Sequence, residues 1–410
     1  MTDLKKIVTE CENCIIFRDV VRGDAVVGKL IETIYSLSGL DIDDDNYRRH
    51  VMKNYCGFIE GLYEETENLT QYVLDRILEC DNIYIRKRSE GKSTGELLDE
   101  CLANELWVLG QLAQLPCYEL LDRMDYDGFL PRYRTEEMDF SMIYATRLRQ
   151  LSKFGYGIYA RYNMFIIKDG KITPVKHPDP VRLEDFSGYE RERGEVIENT
   201  LALLHDRPAN NVLLYGDCGT GKSSTVKAIA NEYAKDGLRL IEIKKKQLHE
   251  LPDIVSEISR SPLKFIIFID DLSFTEDDDD FAALKAMLEG SVASSADNLC
   301  IYATSNRRHL VRETFSARRG DEVHAKDTMQ ELLSLSDRFG LTVTFVKPDK
   351  KLFLQVVSEL AARAGLTLPE EELHAQAERF ALSRAGRSPR VARQFVDYLA
   401  SVERDGGDGE

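Results

Sequence analysis

Hydrophobic residues in the first 150 positions recur at the spacing of helices. Two segments show this most clearly, residues 73–80 and 97–115, where apolar side chains fall at intervals of three and four. Because that interval places them on one face of a helix, each segment is predicted to be an amphipathic helix. The pattern therefore predicts a mainly helical N-terminal domain over residues 1–150.

The pattern changes at residues 156–175, where aromatic and aliphatic side chains surround an Asp169-Gly170 pair. Such a pair between two apolar runs is typical of the tight turn of a β-hairpin. Three prolines then fall at positions 174, 178 and 180. Residues 151–180 are therefore predicted to hold a hairpin and a stiff linker. We expect the aromatic side chains to pack on the helical domain; the alternative is that they stack on nucleotide bases.

From residue 181 short apolar runs alternate with helical stretches. Five of these runs predict strands, at residues 211–215, 238–243, 265–269, 299–304 and 341–346. Strands separated by helices pair in parallel, so the predicted fold class is α/β, with a five-stranded parallel sheet flanked by helices at residues 181–347. Residues 348–403 return to a helical pattern, and residues 404–410 are predicted to be a disordered tail.

Composition narrows the class of protein. The chain carries 54 Lys and Arg against 71 Asp and Glu, a net charge of −17, which argues against non-specific coating of nucleic acid. No apolar run approaches the roughly 18 residues of a membrane span, and the charged N-terminus is unlike a signal peptide. Eight cysteines are too few for a disulfide framework, and we interpret the lone pair Cys11 and Cys14 as packed thiols. We therefore expect a cytoplasmic protein without membrane association.

The strongest chemical motif is the segment GDCGTGKS, which fits the phosphate-binding pattern GxxxxGK[ST] in full and lies between a predicted strand and a predicted helix. Glycines let backbone N–H groups wrap an anion, and the helix N-terminus adds partial positive charge. In this pattern the lysine reaches the β and γ phosphates and the Ser223 hydroxyl holds Mg²⁺. The predicted nucleotide-binding residues are Gly216, Asp217, Cys218, Gly219, Thr220, Gly221, Lys222, Ser223 and Ser224.

A pair of carboxylates, Asp270 and Asp271, directly follows the apolar run at residues 265–269. The carboxyl ends of parallel strands form the ligand crevice of an open α/β sheet. Asp270 is therefore predicted to complete the Mg²⁺ site with Ser223, and Asp271 to polarise the attacking water. The alternative is an ordinary strand that ends in solvated acids.

Together these motifs resemble those of the AAA+ ATPases, a branch of the P-loop class, over residues 181–403. The segment LEDFSG looks like the one that cups adenine in that family, which implicates Phe186 and Gly188. The Asp-Asp doublet is similar to that of replication initiators and helicase loaders, where many other AAA+ members have Asp-Glu. The sequences at residues 269–274 and 302–310 are similar to those of an uncharacterised bacterial family of AAA+ ATP-binding proteins.

Three further roles are implied by the same resemblance. Asn306, in YATSN, resembles the sensor-1 residue that bonds the water and the γ-phosphate. Arg338, in LSDRFG, resembles an arginine finger that reaches a neighbouring subunit's γ-phosphate; a surface salt bridge is the alternative. Arg390, in GRSPR, resembles the sensor-2 residue of a helical lid. The implied catalytic residues are Lys222, Asp271, Asn306, Arg338 and Arg390.

The resemblance implies an ATP hydrolase that uses ATP and Mg²⁺, assembles with ATP into a homo-oligomer, and remodels or loads a macromolecular partner. We expect residues 1–175 to contact that partner, a protein or a nucleic acid. Two departures from the family pattern keep open the alternative of an ATP-gated binding switch with little turnover. Asp271 is shorter than the glutamate of many relatives, and residues 244–246 are lysines where protein-threading rings carry an aromatic–glycine loop. A third hypothesis, a small-molecule kinase, predicts no arginine acting between subunits.

Overall fold

The computed structural model of the chain describes residues 3–39, 45–272, 284–285, 288, 297–306, 338–384 and 386–407. The chain forms two compact units, Met1–Arg161 and Tyr162–Glu410. No helix in the described ranges combines the length and the apolar composition that a bilayer crossing requires.

The first unit is mainly helical, as its hydrophobic spacing predicts. The two helices predicted at residues 73–80 and 97–115 are α5 and α7, and their apolar faces join the hydrophobic core of this unit. The described helices are α1 Leu4–Glu12, α2 Arg18–Gly23, α3 Ala25–Gly39, α4 Asp45–Tyr63, α5 Leu69–Glu79, α6 Ile83–Ser89, α7 Glu96–Ala113, α8 Cys117–Met124, α9 Phe140–Arg149, α10 Leu151–Phe154 and α11 Ile158–Arg161.

A buried carboxylate fixes the turn between α1 and α2. Glu105 of α7 is 4% exposed, and its two oxygens accept hydrogen bonds of 2.9–3.1 Å from the backbone N–H groups of residues 15–17. These bonds compensate the cost of burying the charge and tie the turn to α7. Cys11 and Cys14 lie beside this turn as buried free thiols, and burial raises the pKa of Cys11 to about 12.

The second unit is built on a seven-stranded sheet with the strand order β2-β1-β4-β5-β6-β3-β7. Strands β4, β5, β6, β3 and β7 are the five predicted ones, and every pairing among them is parallel. Their carboxyl ends therefore meet at one edge of the sheet. The strands are β1 Met164–Lys168, β2 Lys171–Pro174, β3 Val212–Gly216, β4 Leu238–Ile243, β5 Lys264–Ile269, β6 Leu299–Ser305 and β7 Leu341–Phe345.

The hairpin predicted near residue 169 forms, but it belongs to this sheet. Strand β1 pairs in parallel with β4, and β2 pairs antiparallel with β1 at the outer edge. Phe165 and Ile167 of β1 are buried, and the sheet has seven strands rather than the five expected. The physical reason is that the free edge of β4 offers unpaired backbone groups, which β1 satisfies. The second unit consequently begins at Tyr162, before the proline-rich segment.

Helices cover this sheet and continue beyond it. The described helices are α12 Glu190–Leu204, α13 Lys222–Glu232, α14 Leu251–Ile258, α15 Lys350–Arg363, α16 Glu370–Leu382 and α17 Pro389–Gly407. The last three form the predicted C-terminal lid around a separate core that includes Phe353 and Phe395. Helix α17 continues to Gly407, where we predicted a disordered tail from residue 404, because extending an existing helix costs little once it is nucleated. Residues 408–410 lie outside the described ranges.

Candidate functional site

The loop between β3 and α13 has the backbone shape that an anion-binding loop needs. Gly216, Gly219 and Gly221 have φ angles of +137°, +77° and +94°, a region that favours glycine. At Gly216 a Cβ atom would lie 2.0 Å from the carbonyl oxygen of Phe345 on the neighbouring strand β7. Any larger residue at that position would therefore push β7 and the loop apart.

Lys222 begins α13 and points its charge back into the loop. Its side chain is almost fully buried, and Nζ donates hydrogen bonds of 2.8 Å to the carbonyl oxygens of Gly216 and Asp217. A third bond, of 3.1 Å, goes to Oδ1 of Asn306 at the end of β6. Burial lowers the pKa of Lys222, and the nearby side chains of Cys218 and Asp217 oppose that shift.

A junction of three oxygen-bearing side chains joins α13 to the strand ends. Oδ1 of Asp270, the residue after β5, accepts a 2.6 Å hydrogen bond from Ser223 Oγ and a 2.5 Å bond from Thr304 Oγ1 of β6. The register of the sheet explains the meeting, since Ile269 pairs with Ala303 and their next residues fall side by side. We call Ser223, Asp270 and Thr304 the oxygen junction.

The oxygen junction fits a magnesium ion by its donor set. Mg²⁺ prefers hard oxygen ligands and commonly binds through one or two carboxylates together with substrate phosphates. Among the described residues no group of three or more His, Cys, Asp or Glu side chains is assembled, so an all-protein metal cage is not what this part of the chain provides. An alcohol and a carboxylate at the mouth of a phosphate loop match the predicted ligands Ser223 and Asp270.

Asp271 is held beside the oxygen junction in an unusual backbone conformation. Its φ angle is +52°, the left-handed region that aspartate tolerates better than most residues. Its N–H donates to Thr304 Oγ1 at 2.9 Å, and its Oδ1 accepts a 2.9 Å bond from Asn306 Nδ2. Asn306 thereby connects Lys222 to Asp271 through the two ends of one amide.

Two cavities meet at the loop. The first, about 280 Å³, is lined by the oxygen junction together with Cys218, Lys222, Asp271 and Asn306, and we call it the strand-end cavity. The second, about 230 Å³, is lined by the segment around Phe186 and by residues of the lid helices, and we call it the lid cavity. Both are lined by Gly219, Gly221, Ser224 and Arg390, so they adjoin at the loop, and we call the pair the cleft.

The lid closes on the loop at the start of α17. The N–H of Arg390 donates to the carbonyl oxygen of Gly219 at 3.2 Å. A Cβ atom at Gly219 would lie 3.2 Å from both Ser388 Oγ and Arg390 Cβ, so a glycine is what allows this approach. Ser388 caps the helix by accepting a bond from the Val391 N–H.

Phe186 forms part of the lid cavity and is held from two sides. The guanidinium of Arg193 lies over its ring at 5.3 Å, and Arg363 of the lid donates a 3.3 Å bond to its carbonyl oxygen. A Cβ atom at Gly221 would lie 3.7 Å from the Phe186 ring, which brings that ring against the phosphate loop. Gly188, predicted to act with Phe186, packs instead against Leu352 of α15 and lines neither cavity.

Most of the predicted residues converge on this cleft, and a few lie apart from it. Gly216 and Asp217 contribute the carbonyl oxygens that hold Lys222, while Thr220 lines the lid cavity. Arg338 is half-buried just before β7 and lines neither described cavity. The remainder of its motif, residues 335–337, lies outside the described ranges.

Several lining residues were not predicted. Thr304 belongs to the motif that identified Asn306, yet its bond to Asp270 depends on a strand register that the local sequence does not encode. The lid cavity also gains residues from distant segments of the chain. These are Asp179, Val181, Tyr189, Arg193, Val356, Leu360 and Arg393. Val356 and Leu360 fall in the range 348–403, for which the sequence indicated only a helical pattern.

The parallel strand order, the phosphate loop, the acidic strand end and the helical lid define the second unit as a P-loop domain of the AAA+ class. Residues 159–403 match the family model described as "Protein of unknown function (DUF815)". Since this match covers more than half of the chain, the protein belongs to that family.

Curated relatives are similar to part of the chain. The 26S proteasome regulatory subunit 6B homolog of Schizosaccharomyces pombe is 35% identical over 115 residues, which is 25% of this chain and 29% of the relative. The proteasome-activating nucleotidase of Methanocaldococcus jannaschii is 34% identical over 116 residues, 25% of this chain and 27% of the relative. The chain thus spans less than a third of the length of these two relatives.

Two solved structures are also similar. The FIGL-1 AAA domain in complex with ADP has a TM-score of 0.39 at 18% identity and covers 57% of this chain and 77% of that one. The Thermotoga maritima RuvB Holliday junction branch migration motor has a TM-score of 0.37 at 16% identity, covering 55% and 67%.

Proposed function

We propose that this protein binds and hydrolyses Mg-ATP and uses the two nucleotide states to remodel or load a macromolecular partner. The observation that carries the proposal is the 2.6 Å contact between Ser223 Oγ and Asp270 Oδ1. It joins the phosphate loop to the acidic strand end, which lie 47 positions apart in the sequence. A chance match to the loop motif would have no reason to meet a carboxylate there.

The triphosphate would lie in the strand-end cavity. Backbone N–H groups of residues 216–221 and the N-terminus of α13 supply donors and partial positive charge for it. Lys222 bonds two carbonyl oxygens and one amide, which are weaker acceptors than phosphate oxygens. Phosphate oxygens would therefore compete effectively for this ammonium group. Asn306, released from Lys222, would be able to bond the nucleotide.

Mg²⁺ would be held by Ser223 Oγ and Asp270, with Thr304 orienting the carboxylate through its 2.5 Å hydrogen bond. When bound, the ion supplies charge neutralisation between the β and γ phosphates. The contribution of the protein is to fix the positions of the two ligands before the ion arrives.

Asp271 and Asn306 would act on the attacking water. Both line the strand-end cavity, and Asn306 already orients the Asp271 carboxylate through its amide N–H. A carboxylate can accept a proton from water, and an amide can donate to the γ-phosphate while it holds that water. We assign the proton acceptor to Asp271 and the positioning of water and phosphate to Asn306.

The base and ribose would occupy the lid cavity. This cavity shares Gly219 and Gly221 with the strand-end cavity, and it is lined by Phe186, Val356 and Leu360, which offer apolar surface to a purine. The similarity to a proteasome-activating nucleotidase supports nucleotide turnover by this chain. Arg390 lines both cavities, which suits a lid arginine that contacts phosphate.

Assembly with ATP into a homo-oligomer would bring Arg338 of one subunit to the nucleotide of the next. The relatives named as proteasome regulatory subunits support a role on a macromolecular partner. We assign partner contact to residues 1–175, because none of the described residues that line the two cavities lies in that range.

One observation favours an ATP-gated binding switch with little turnover as a second candidate. Asp271 is a short acid whose carboxylate is engaged by Asn306 in a left-handed backbone conformation. Drawing it toward a water requires that this hydrogen bond be given up or shared. In that case ATP would select one conformation and hydrolysis would be incidental.

An ATPase assay with Mg²⁺ separates the two candidates. Hydrolysis by the wild type should rise faster than protein concentration and should be abolished in Lys222→Ala and Arg338→Ala. Lys222→Ala should also bind ATP about a hundredfold more weakly, whereas Arg338→Ala should retain the wild-type affinity. Tight ATP binding with negligible turnover at every concentration would instead support the switch.

A further inference from the structure

The segment that forms one wall of the lid cavity has no regular secondary structure of its own. It runs from the end of β2 at Pro174 to the short 3₁₀ turn Leu183–Asp185, and Asp179 and Val181 of this segment line the cavity. Proline at position 180 removes one backbone donor from it. Its position must therefore be set by contacts with other elements.

One side chain supplies such contacts. Asn231, in the last turn of α13, donates from Nδ2 to the carbonyl oxygens of Asp179 and Val181 at 2.8 and 2.9 Å. Its Oδ1 accepts a 3.1 Å bond from Asn163 Nδ2, immediately before β1. Both the nitrogen and the oxygen of this amide take part in hydrogen bonds, so its orientation is fixed from both ends.

We propose that Asn231 is a positioning residue for nucleotide affinity, which sets the wall of the base pocket through the carbonyl oxygens of Asp179 and Val181. This inference rests on the proposed function, because it takes the lid cavity as the place of the base. The same helix, α13, begins at the phosphate loop with Lys222 and ends near Asn231. At about 1.5 Å per residue, the helix separates Lys222 from Asn231 by about 13 Å along its axis.

The role is specific to the base because Asn231 lies at the opposite end of α13 from the phosphate loop. The three hydrogen bonds of its amide reach the hairpin side and the cavity wall, and the residues that line the strand-end cavity are not among its partners. Loss of the two bonds to the wall should therefore weaken the part of the affinity that depends on the base. The part that depends on the phosphates should remain.

The test compares Mg-ATP with inorganic triphosphate, which lacks a base, by calorimetry on the full chain. Asn231→Asp keeps the size of the side chain but turns a carboxylate oxygen toward two carbonyl oxygens. Asn231→Ala removes the bonds without that repulsion. Asn163→Ala is the matched control, since it loses one bond to the same amide but leaves both bonds to the wall. Melting temperatures without nucleotide report whether each variant is folded.

Losing the two bonds should raise the Kd for Mg-ATP about tenfold, as expected for net losses near 1.4 kcal/mol. The Kd for triphosphate should change less than about twofold, and Asn163→Ala should bind both ligands nearly as the wild type does. In turnover assays KM should rise while kcat is retained. The inference is overturned if Asn231→Ala binds Mg-ATP as the wild type does, or if triphosphate affinity falls by the same factor. If the wild type itself ignores Mg-ATP, the proposed function fails first.

Discussion

Asn306 donates a 2.9 Å hydrogen bond to Asp271, and the opposite end of the same amide accepts one from Lys222. The lysine of the phosphate loop and the proposed proton acceptor are therefore linked by one side chain. A ligand that draws Lys222 toward itself would break the hydrogen bond between Lys222 and Asn306. Asn306 would then be free to turn, and the orientation of the Asp271 carboxylate would change with it. This link gives the site a way to couple phosphate binding to the orientation of its acid.

Replacing Asn306 by alanine should separate binding from turnover. The variant keeps the loop and the oxygen junction, so its Kd for Mg-ATP should stay within about threefold of the wild type. Turnover should fall by about 10²-fold, because the water and the Asp271 carboxylate lose their orienting amide. Single-turnover hydrolysis and equilibrium binding measured on the same preparation check this. Equal losses in both would show that Asn306 acts on ATP binding alone.

Removal of magnesium should affect the wild type more than Asp270→Asn. In the wild type, chelation of Mg²⁺ leaves the Asp270 carboxylate facing the phosphates, so ATP affinity should fall by about tenfold or more. In the variant a neutral amide replaces that carboxylate, so removal of Mg²⁺ should change the ATP affinity by only about threefold or less. Binding titrations with and without a chelator measure both. An undiminished dependence in Asp270→Asn would move the metal site elsewhere.

Gly216→Ala should destabilise the fold more than a glycine replacement elsewhere with positive φ. Its new Cβ atom would meet the Phe345 carbonyl oxygen at 2.0 Å, so the free energy of unfolding should fall by about 3 kcal/mol or more. Gly170→Ala, in the hairpin turn at φ +73° with open space around it, should cost only about 1 kcal/mol. Thermal unfolding of both variants compares them. Similar melting temperatures would show that the loop can relax away from β7.

ATP should protect Cys218 from alkylation. This thiol is exposed and lines the strand-end cavity. Cys56 is also exposed, but it lies in the first unit and serves as the control. Burial raises the pKa of Cys300 to about 12 and that of Cys80 to about 11, so at pH 8 at most about one thiol in a thousand is ionised at either position and both should react slowly. Mass mapping after iodoacetamide treatment gives each rate.

Saturating Mg-ATP should slow the alkylation of Cys218 by about tenfold or more and leave the rate at Cys56 unchanged. Equal protection of Cys218 and Cys56 would indicate a general tightening of the protein rather than occupation of the cavity.

The five predicted strands could be found because buried strands read as short apolar runs, although one of them, β7, lies at the edge of the sheet. Strand β4 at Leu238–Ile243 has the predicted bounds, and β5 begins one residue earlier than predicted. The phosphate loop could be found because its glycines, lysine and serine all fall within eight successive residues. Local sequence was sufficient wherever the determining contacts were themselves local.

The partner of the hairpin could not be predicted from its own residues. Its turn is encoded by Asp169 and Gly170, but its pairing with β4 is decided by which sheet edge is open, and that depends on the finished fold. Thr304 was missed for a similar reason, since its bond to Asp270 follows from the register between β5 and β6. The lid cavity collects residues from the segment after β2, the start of α12, the phosphate loop and the lid, so no single stretch of sequence marks it.

The most direct test of the account is a calorimetric titration of the full chain with Mg-ATP, alongside Lys222→Ala. The account predicts saturable binding by the wild type at one site per chain. It also predicts an affinity about a hundredfold weaker in the variant, since a charge-assisted contact worth near 2.7 kcal/mol is lost. A folded wild-type protein that shows no binding of Mg-ATP, or a Lys222→Ala variant that binds it equally well, would contradict the account.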